Sequence, residues 1–378
     1  MRKNKRYIAK HARKLDRPSG ALKSGRWYRR AWGKYLISFG VSMLTIAACI
    51  LFALYGPISL FRVTLITSAM TTKDHQSLAE IFFSDETINW VLDHNKVVEL
   101  DSTTDTNAID TSRGDGEREL ISIHEISGGS IATLDYYEGY VMEISDPAWV
   151  RLGIPKDFGT KGQKLPRLIE SYNALAGINA GGFADIGGFG NGGNAVGMVM
   201  IDGVMIKKPF TKYVNLVGVN NDNVLVLGRY KASELESLDL RCACEFDPFL
   251  IINGEPAEIR GDGGWGSAPR TAIGQRKDGT IIFVVIDGRN PPVIGASMKQ
   301  LQDIMIEEGC WNAVNLDGGS SSVMYYTEKA GSTEEGVGRV LNNPSGSDAD
   351  GMRFLPNAFL VVDPETYDPP TDRPPHNK

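Results

Sequence analysis

Thr280-Ile281-Ile282-Phe283-Val284-Val285-Ile286-Asp287-Gly288-Arg289, then Ser297 to Glu308, then Trp311-Asn312-Ala313-Val314-Asn315-Leu316-Asp317-Gly318-Gly319-Ser320, is the stretch that decides how this chain folds. The first apolar run has strand length and ends on a charged turn. A helix follows, because Ser297 and Gln300 form a capping box, Met298, Leu301, Ile304 and Met305 share one face, and Gly309 stops it. The third segment is a second strand. Two strands joined through a crossover helix run parallel, with their carboxyl ends at one edge of the sheet. Asp287 and Asp317 therefore share a rim, separated by one strand spacing of about 5 Å or two of about 10 Å.

Upstream, short apolar runs alternate with turn signals. Thr133 to Ile144 reads as a strand or hairpin. Val196 to Ile201 meets Val204 to Lys207 across Asp202-Gly203, Val214 to Val219 faces Val224 to Leu227 across Asn220 to Asn223, and Phe249 to Ile252 runs into Asn253-Gly254. Leu165 to Ala174 is a further helix. The expected class is α+β, a mixed and mostly antiparallel sheet with a few packed helices, preceded by one N-terminal transmembrane helix.

That helix is read from Tyr35 to Phe61, which holds no Asp, Glu, Lys or Arg. A bilayer core needs roughly 20 such residues. Residues 1–34 carry thirteen Lys and Arg against the single acid Asp16, which places them in the cytoplasm and the remainder outside the cell membrane. The apolar run is too long for a cleaved signal peptide, so an uncleaved anchor is expected. Residues 62–120 read as a stalk or linker, with helical turns around Leu78, Ile81, Phe82, Ile88 and Val91. Residues 121–362 form the catalytic domain, and 363–378, rich in proline and charge, a disordered tail.

Without its first 61 residues the chain has 27 basic against 45 acidic residues, a net charge near −18. Nucleic acid, which demands a basic footprint, is thereby excluded as a partner. Neutral sugars, or anions gripped by a few arginines, remain. Of four cysteines, Cys49 lies in the apolar span. Cys242 and Cys244 are read as buried thiols, and whether either pairs with Cys310 stays open. No C-x-x-C or histidine pair supports a metal site. Glycine- and aspartate-rich loops carry oxygen ligands of the kind Ca²⁺ takes, without a full ligand pattern, and no cofactor is required.

The chemistry concentrates where glycines interrupt charge. Pro269-Arg270-Thr271-Ala272-Ile273-Gly274 leads through Asp278-Gly279 into the Ile281 run, so Arg270 and Arg289 come from two sides of one hairpin and are expected to converge on an anion. Asn179-Ala180-Gly181-Gly182-Phe183 ends another apolar run, and Gly187 to Gly193 follows as a loop over the pocket. Gly188, Gly190 and Gly193 satisfy G-x-G-x-x-G, yet a strand follows them where a dinucleotide site needs a helix. Ser320, Ser321 and Ser322 fail as a nucleophile elbow, because glycine is missing at 322. Paired carboxylates divide acid and base work at glycosidic bonds; a short separation suits a covalent intermediate and a longer one inversion.

In order and composition, the motifs at 179–183, 269–274, 285–289 and 315–320 resemble those of phosphodiester glycosidases, a family that includes bacterial envelope proteins related to exopolysaccharides. The likeness covers roughly residues 121–362. It implies hydrolysis of a sugar-1-phosphodiester at the glycosidic bond. It also implies catalytic roles for Asp317, Asp287, Asn315, Arg270 and Thr271, and substrate contacts from Asn179, Gly181, Gly182, Arg289, Gly318, Gly319, Ser320 and Ser321. One departure is Gly182-Phe183-Ala184, with a single aromatic where the family has two. The competing reading is a non-catalytic glycan-binding or assembly protein of the envelope. A serine hydrolase would need a histidine base, and beyond the span the chain offers His75, His94, His124 and His376, of which only His124 falls within 121–362.

Overall fold

The computed structural model describes residues 24–71, 76–112, 119–184 and 190–368. Most of the basic tail, Gly188 with its neighbours, His75 and the last ten residues lie outside them. The chain divides into two units, Met1–Arg62 and Val63–Lys378.

The first unit contains helix α1 (Ser24–Tyr55). Within it Trp32–Tyr55, 24 residues of mean hydropathy 2.3, is long and apolar enough to cross a bilayer. The helix ends six residues before the expected Phe61, because Pro57 lacks an amide hydrogen and disfavours helical geometry at the residue before it. A second apolar helix, α2 (Ser59–Thr71), begins beyond this break.

The second unit opens with α3 (Gln76–Phe82) and α4 (Asp85–His94), the latter capped by Ser84. Ile88 and Val91 are buried as their spacing predicts, while Leu78, Ile81 and Phe82 stay exposed. The polar stretch read as a linker is tied to the domain over residues 96–110. Val98 N–H donates to Glu258 O, Arg260 N–H to Lys96 O, Thr104 N–H to Leu227 O and Asp110 N–H to Lys277 O. An aperiodic polar segment has no apolar face to reveal its docking; its backbone groups find partners on the surface it follows.

The strands in chain order are β1 (Ile121–Gly128), β2 (Tyr137–Ile144), β3 (Val150–Gly153), β4 (Ala176–Asn179), β5 (Val199–Ile201), β6 (Val204–Lys207), β7 (Tyr213–Asn220), β8 (Leu225–Lys231) and β9 (Leu240–Glu245). Then come β10 (Phe249–Ile252), β11 (Glu255–Pro256), β12 (Arg270–Gln275), β13 (Ile281–Ile286), β14 (Asn312–Asn315), β15 (Met324–Thr327), β16 (Gly338–Val340) and β17 (Ala358–Val361). Helix α5 (Leu165–Ser171) precedes β4 and α6 (Met298–Glu307) precedes β14. All strand pairs within the sheets are antiparallel. The sheets have the orders β1-β2-β13-β12-β14-β10-β11, β16-β15-β4-β17-β3 and β6-β5-β9-β7-β8. The β5–β6 and β10–β11 turns carry positive φ at both central residues, 47° and 73° at Asp202-Gly203 and 54° and 77° at Asn253-Gly254, the twist-matched hairpin geometry.

The large sheet separates two cores. On one face Ile273, Val285 and Val314 pack with Ile178 and Phe359 of the second sheet and Val217 and Leu227 of the third. On the other, Ala272, Val284 and Ala313 meet Met298, Leu301 and Met305 of α6. Cys242 and Cys244 belong to the first core and Cys310 to the second; all three are buried free thiols.

β13 and β14 are both antiparallel to β12, which lies between them. They are therefore parallel to each other, with their carboxyl ends at one rim and two strand spacings, roughly 10 Å, between them. The amino ends of β12 and β10 reach the same rim.

Candidate active site

The rim runs across four adjacent strand ends: Asp287 after β13, Arg270 at the start of β12, Asp317 after β14, and Asp247 before β10. Successive residues on a strand face opposite ways. Arg270 and Thr271, neighbours in sequence, consequently serve different sides. The Thr271 hydroxyl donates to Asn179 Oδ1 at 2.8 Å, toward the second sheet. The Arg270 guanidinium turns toward α6, donating from Nε to Ala296 O (3.0 Å) and from one terminal nitrogen to Trp265 O (2.9 Å) and Gly266 O (2.6 Å).

Arg270 therefore does not converge with Arg289 on an anion as its position in the hairpin suggested. It fastens the 265–266 and 296 loops to β12. Burial lowers its pKa to about 10, with Asp262 opposing and the charge of Arg289 adding to the shift. Asn315 is likewise buried, donating to Asp247 O at 3.1 Å while its own Oδ1 has no hydrogen-bond partner.

Asn179, at the end of β4, is the hub of the other side. Its Oδ1 accepts from Thr271 and from the N–H of Val323 (3.1 Å), and its Nδ2 donates to the backbone oxygen of Asp317. The Asp317 N–H donates in turn to Ala180 O at 3.0 Å. The peptide groups on either side of Asp317 are thus pinned to the β4 end, while the residue and the following Gly318, Gly319 and Ser320 remain partly open to solvent. Gly181 is held by Asn357, whose Oδ1 accepts its N–H at 2.7 Å. Gly182 is half-buried beside Phe246, where a Cβ would come within 3.3 Å of the ring.

Arg289 is the guanidinium that faces this opening. Its Nη1 donates to Ser320 Oγ at 3.2 Å, and it lies so close over Gly319 that a Cβ there would stand 3.2 Å from it. Gly319 itself has φ +59°, so a side chain at that position is strained as well as crowded. Arg289 holds φ +60°, a left-handed conformation unusual for a residue with a side chain. Such strain gathers at functional sites when surrounding contacts enforce it. Here the Arg289 N–H donates to Ile294 O. The residue is exposed, yet crowding around the charged head removes enough water to lower its pKa. Ser321 and Ser322, by contrast, are buried.

Asp287 is buried, and its Oδ1 accepts from Asn342 Nδ2 (2.9 Å) and the Asn343 N–H (2.8 Å). Burial raises its pKa; those two hydrogen bonds oppose the rise and the charge of Glu138 adds to it. Asn342 also donates to Ser322 O and accepts from the Met324 N–H. Asp287 therefore anchors the 342–343 loop against the serine turn. Asn342 and Asn357 were missed by sequence reasoning, since an isolated asparagine gains this meaning only from partners 18 to 176 residues away. Glu245 was missed too: it accepts from the Met198 N–H (3.1 Å), and burial raises its pKa with Asp247 adding to the shift.

His124 pairs with Glu308, at the far end of α6 from Arg270, and His94 bonds to its own helix at Trp90 O. Neither approaches Ser320 as a serine hydrolase requires. Among the described residues no group of three or more His, Cys, Asp or Glu side chains could hold a metal ion.

Residues 172–362 match the family model described as phosphodiester glycosidase. The SPbeta prophage-derived protein YomE of Bacillus subtilis (strain 168) is 28% identical over 176 residues, 44% of this chain and 26% of that protein. The chain thus spans about a quarter of the length of that curated relative. The catalytic domain of zebrafish N-acetylglucosamine-1-phosphodiester alpha-N-acetylglucosaminidase, auto-inhibited by its pro-peptide, shares the fold with a TM-score of 0.54 at 17% identity, over 69% of this chain and 88% of that one.

Proposed function

From the premise that this chain belongs to the phosphodiester glycosidase family, we propose that it hydrolyses the glycosidic bond of a sugar-1-phosphodiester in an envelope polysaccharide or glycolipid. The observation that carries this reading is the placement of Asp317. Its backbone is pinned on both sides to the β4 end, it is reachable from solvent, and it lies three residues from the Ser320 hydroxyl that Arg289 engages.

The division of labour follows from chemistry. Arg289, the Ser320 hydroxyl and the glycine backbone hold the phosphate, since a guanidinium fork and hydroxyl suit its oxygens. Asp317 takes a proton from water as its oxygen attacks the anomeric carbon. The bond from that carbon to the phosphate oxygen breaks, and the electron pair leaves with the phosphomonoester, whose charge the arginine stabilises. A phosphate leaving group needs little protonation. One carboxylate is therefore enough, and Asp287 remains the anchor of its loop. Because water attacks directly and no covalent glycosyl intermediate forms on the protein, the anomeric carbon inverts.

The basic N-terminus, the α1 span and the acidic remainder support an anchored protein with its catalytic domain outside the cell. The test is to incubate the full chain, in detergent or nanodiscs, with UDP-N-acetylglucosamine and with a glycosyl phosphodiester, and to measure free sugar. Release that vanishes in Asp317→Asn, with the fold retained, supports the reading. Tight glycan binding with no turnover would replace it with the glycan-binding alternative.

A further inference from the structure

The structure holds a cavity of about 660 Å³ walled by residues 92–101, by the 247–249 and 263–265 loops, and by Asn215 of β7 and Arg229 of β8. Its volume lies within the range of small-molecule sites, about 300–1,000 Å³. Two elements connect it to the candidate active site. Asp247 lines the cavity, while the preceding Phe246 abuts Gly182 on the Asp317 side. Trp265 lines it too, and its backbone oxygen is bound by Arg270 at the rim.

We infer that this cavity is a saccharide subsite, which takes neutral sugar units of the substrate remote from the scissile phosphodiester. The inference rests on the glycosidase reading and narrows it: the substrate is an oligomeric or polymeric glycan rather than a lone sugar nucleotide. Charge excludes the phosphate from this position. Asp93, Glu99, Asp101 and Asp247 line it against only Lys96 and Arg229. Lys96 is paired with Asp93 at 3.1 Å, and Arg229 stands 3.9 Å from Glu99. The surplus is acidic, and anions are repelled. What remains suits a polyol: the Asn215 amide donates to the Asp247 carboxylate at 2.8 Å, a ready pair for hydroxyl groups, and Trp265 supplies an apolar ring.

Calorimetric titration of the full chain in detergent with chitotetraose, maltotetraose and a neutral galactan tetrasaccharide tests this. Binding of at least one is expected, equally in wild type and in Asp317→Asn, with no competition from inorganic phosphate. Asn215→Trp and Glu99→Trp, which fill the cavity from two different segments of its wall, should each weaken that binding at least tenfold, their folding checked by thermal melts. The inference is overturned if no saccharide binds, if phosphate displaces the bound one, or if a folded filling variant binds as wild type does. Binding lost on filling, in a protein that releases no sugar, would retain the subsite and remove the catalytic reading of Asp317.

Discussion

The Thr271 hydroxyl, on the large sheet, donates to Asn179 Oδ1 on the second sheet at 2.8 Å, joining residues 92 apart in the chain. Through the other end of the same amide it sets the backbone of Asp317.

Replacing Thr271 with valine keeps the shape and removes the donor. Asn179 Oδ1 retains the Val323 N–H, so the stability loss measured by denaturant titration should be about 1–2 kcal/mol. The amide loses one of its restraints, and kcat should fall more than KM rises. Unchanged kcat would show that Asn179 does not position Asp317.

Arg289 separates binding from stability. Arg289→Gly removes the phosphate grip and relieves the positive φ, a strain of roughly 1–2 kcal/mol. The added freedom of the unfolded glycine offsets part of that gain. Thermal melts should therefore show a stability equal to or above wild type, while KM for the phosphodiester rises at least tenfold. A destabilised variant with normal KM would contradict the assignment.

Arg270 should behave in the opposite way. Arg270→Met leaves the carbonyls of Trp265 and Gly266 without their donor, while Ala296 O keeps the Ala268 N–H, and unsatisfied buried acceptors cost about 1–3 kcal/mol each. The denaturation midpoint should drop by an amount corresponding to at least about 2 kcal/mol. A stable variant impaired only in phosphate binding would restore Arg270 to the substrate.

Asp287 predicts a pH effect of definite sign. Its folded pKa lies above the unfolded value of about 3.9. The native state therefore holds the proton more tightly, and wild type loses stability relative to Asp287→Asn as pH rises from about 3.9 through the folded pKa. Above that the difference levels off. The asparagine oxygen still accepts from Asn342 and Asn343, so the variant should fold and retain most activity. Melts from pH 3 to 8 that show a flat difference would refute the raised pKa, and loss of turnover would make Asp287 a chemical participant.

Much of the domain was legible locally. The capping box of α6, the Asp202-Gly203 and Asn253-Gly254 hairpins and the apolar runs of β13 and β14 formed where their residues indicated. The apolar span ended early at a proline that also stands in the sequence. The docking of residues 96–110 left no such trace, because backbone hydrogen bonds to distant strands impose no periodicity on the side chains that make them.

The sequence by itself pointed to a parallel pair of strands with Asp287 and Asp317 at one rim, since two strands of one sheet joined by a crossover helix run the same way. Only the tertiary structure decided that β12 would lie between those strands, sending Arg270 to the α6 side and Thr271 to Asn179. Facing is a property of which surface each side of a strand covers. That is settled by contacts between residues far apart in the chain, where local pattern carries no information.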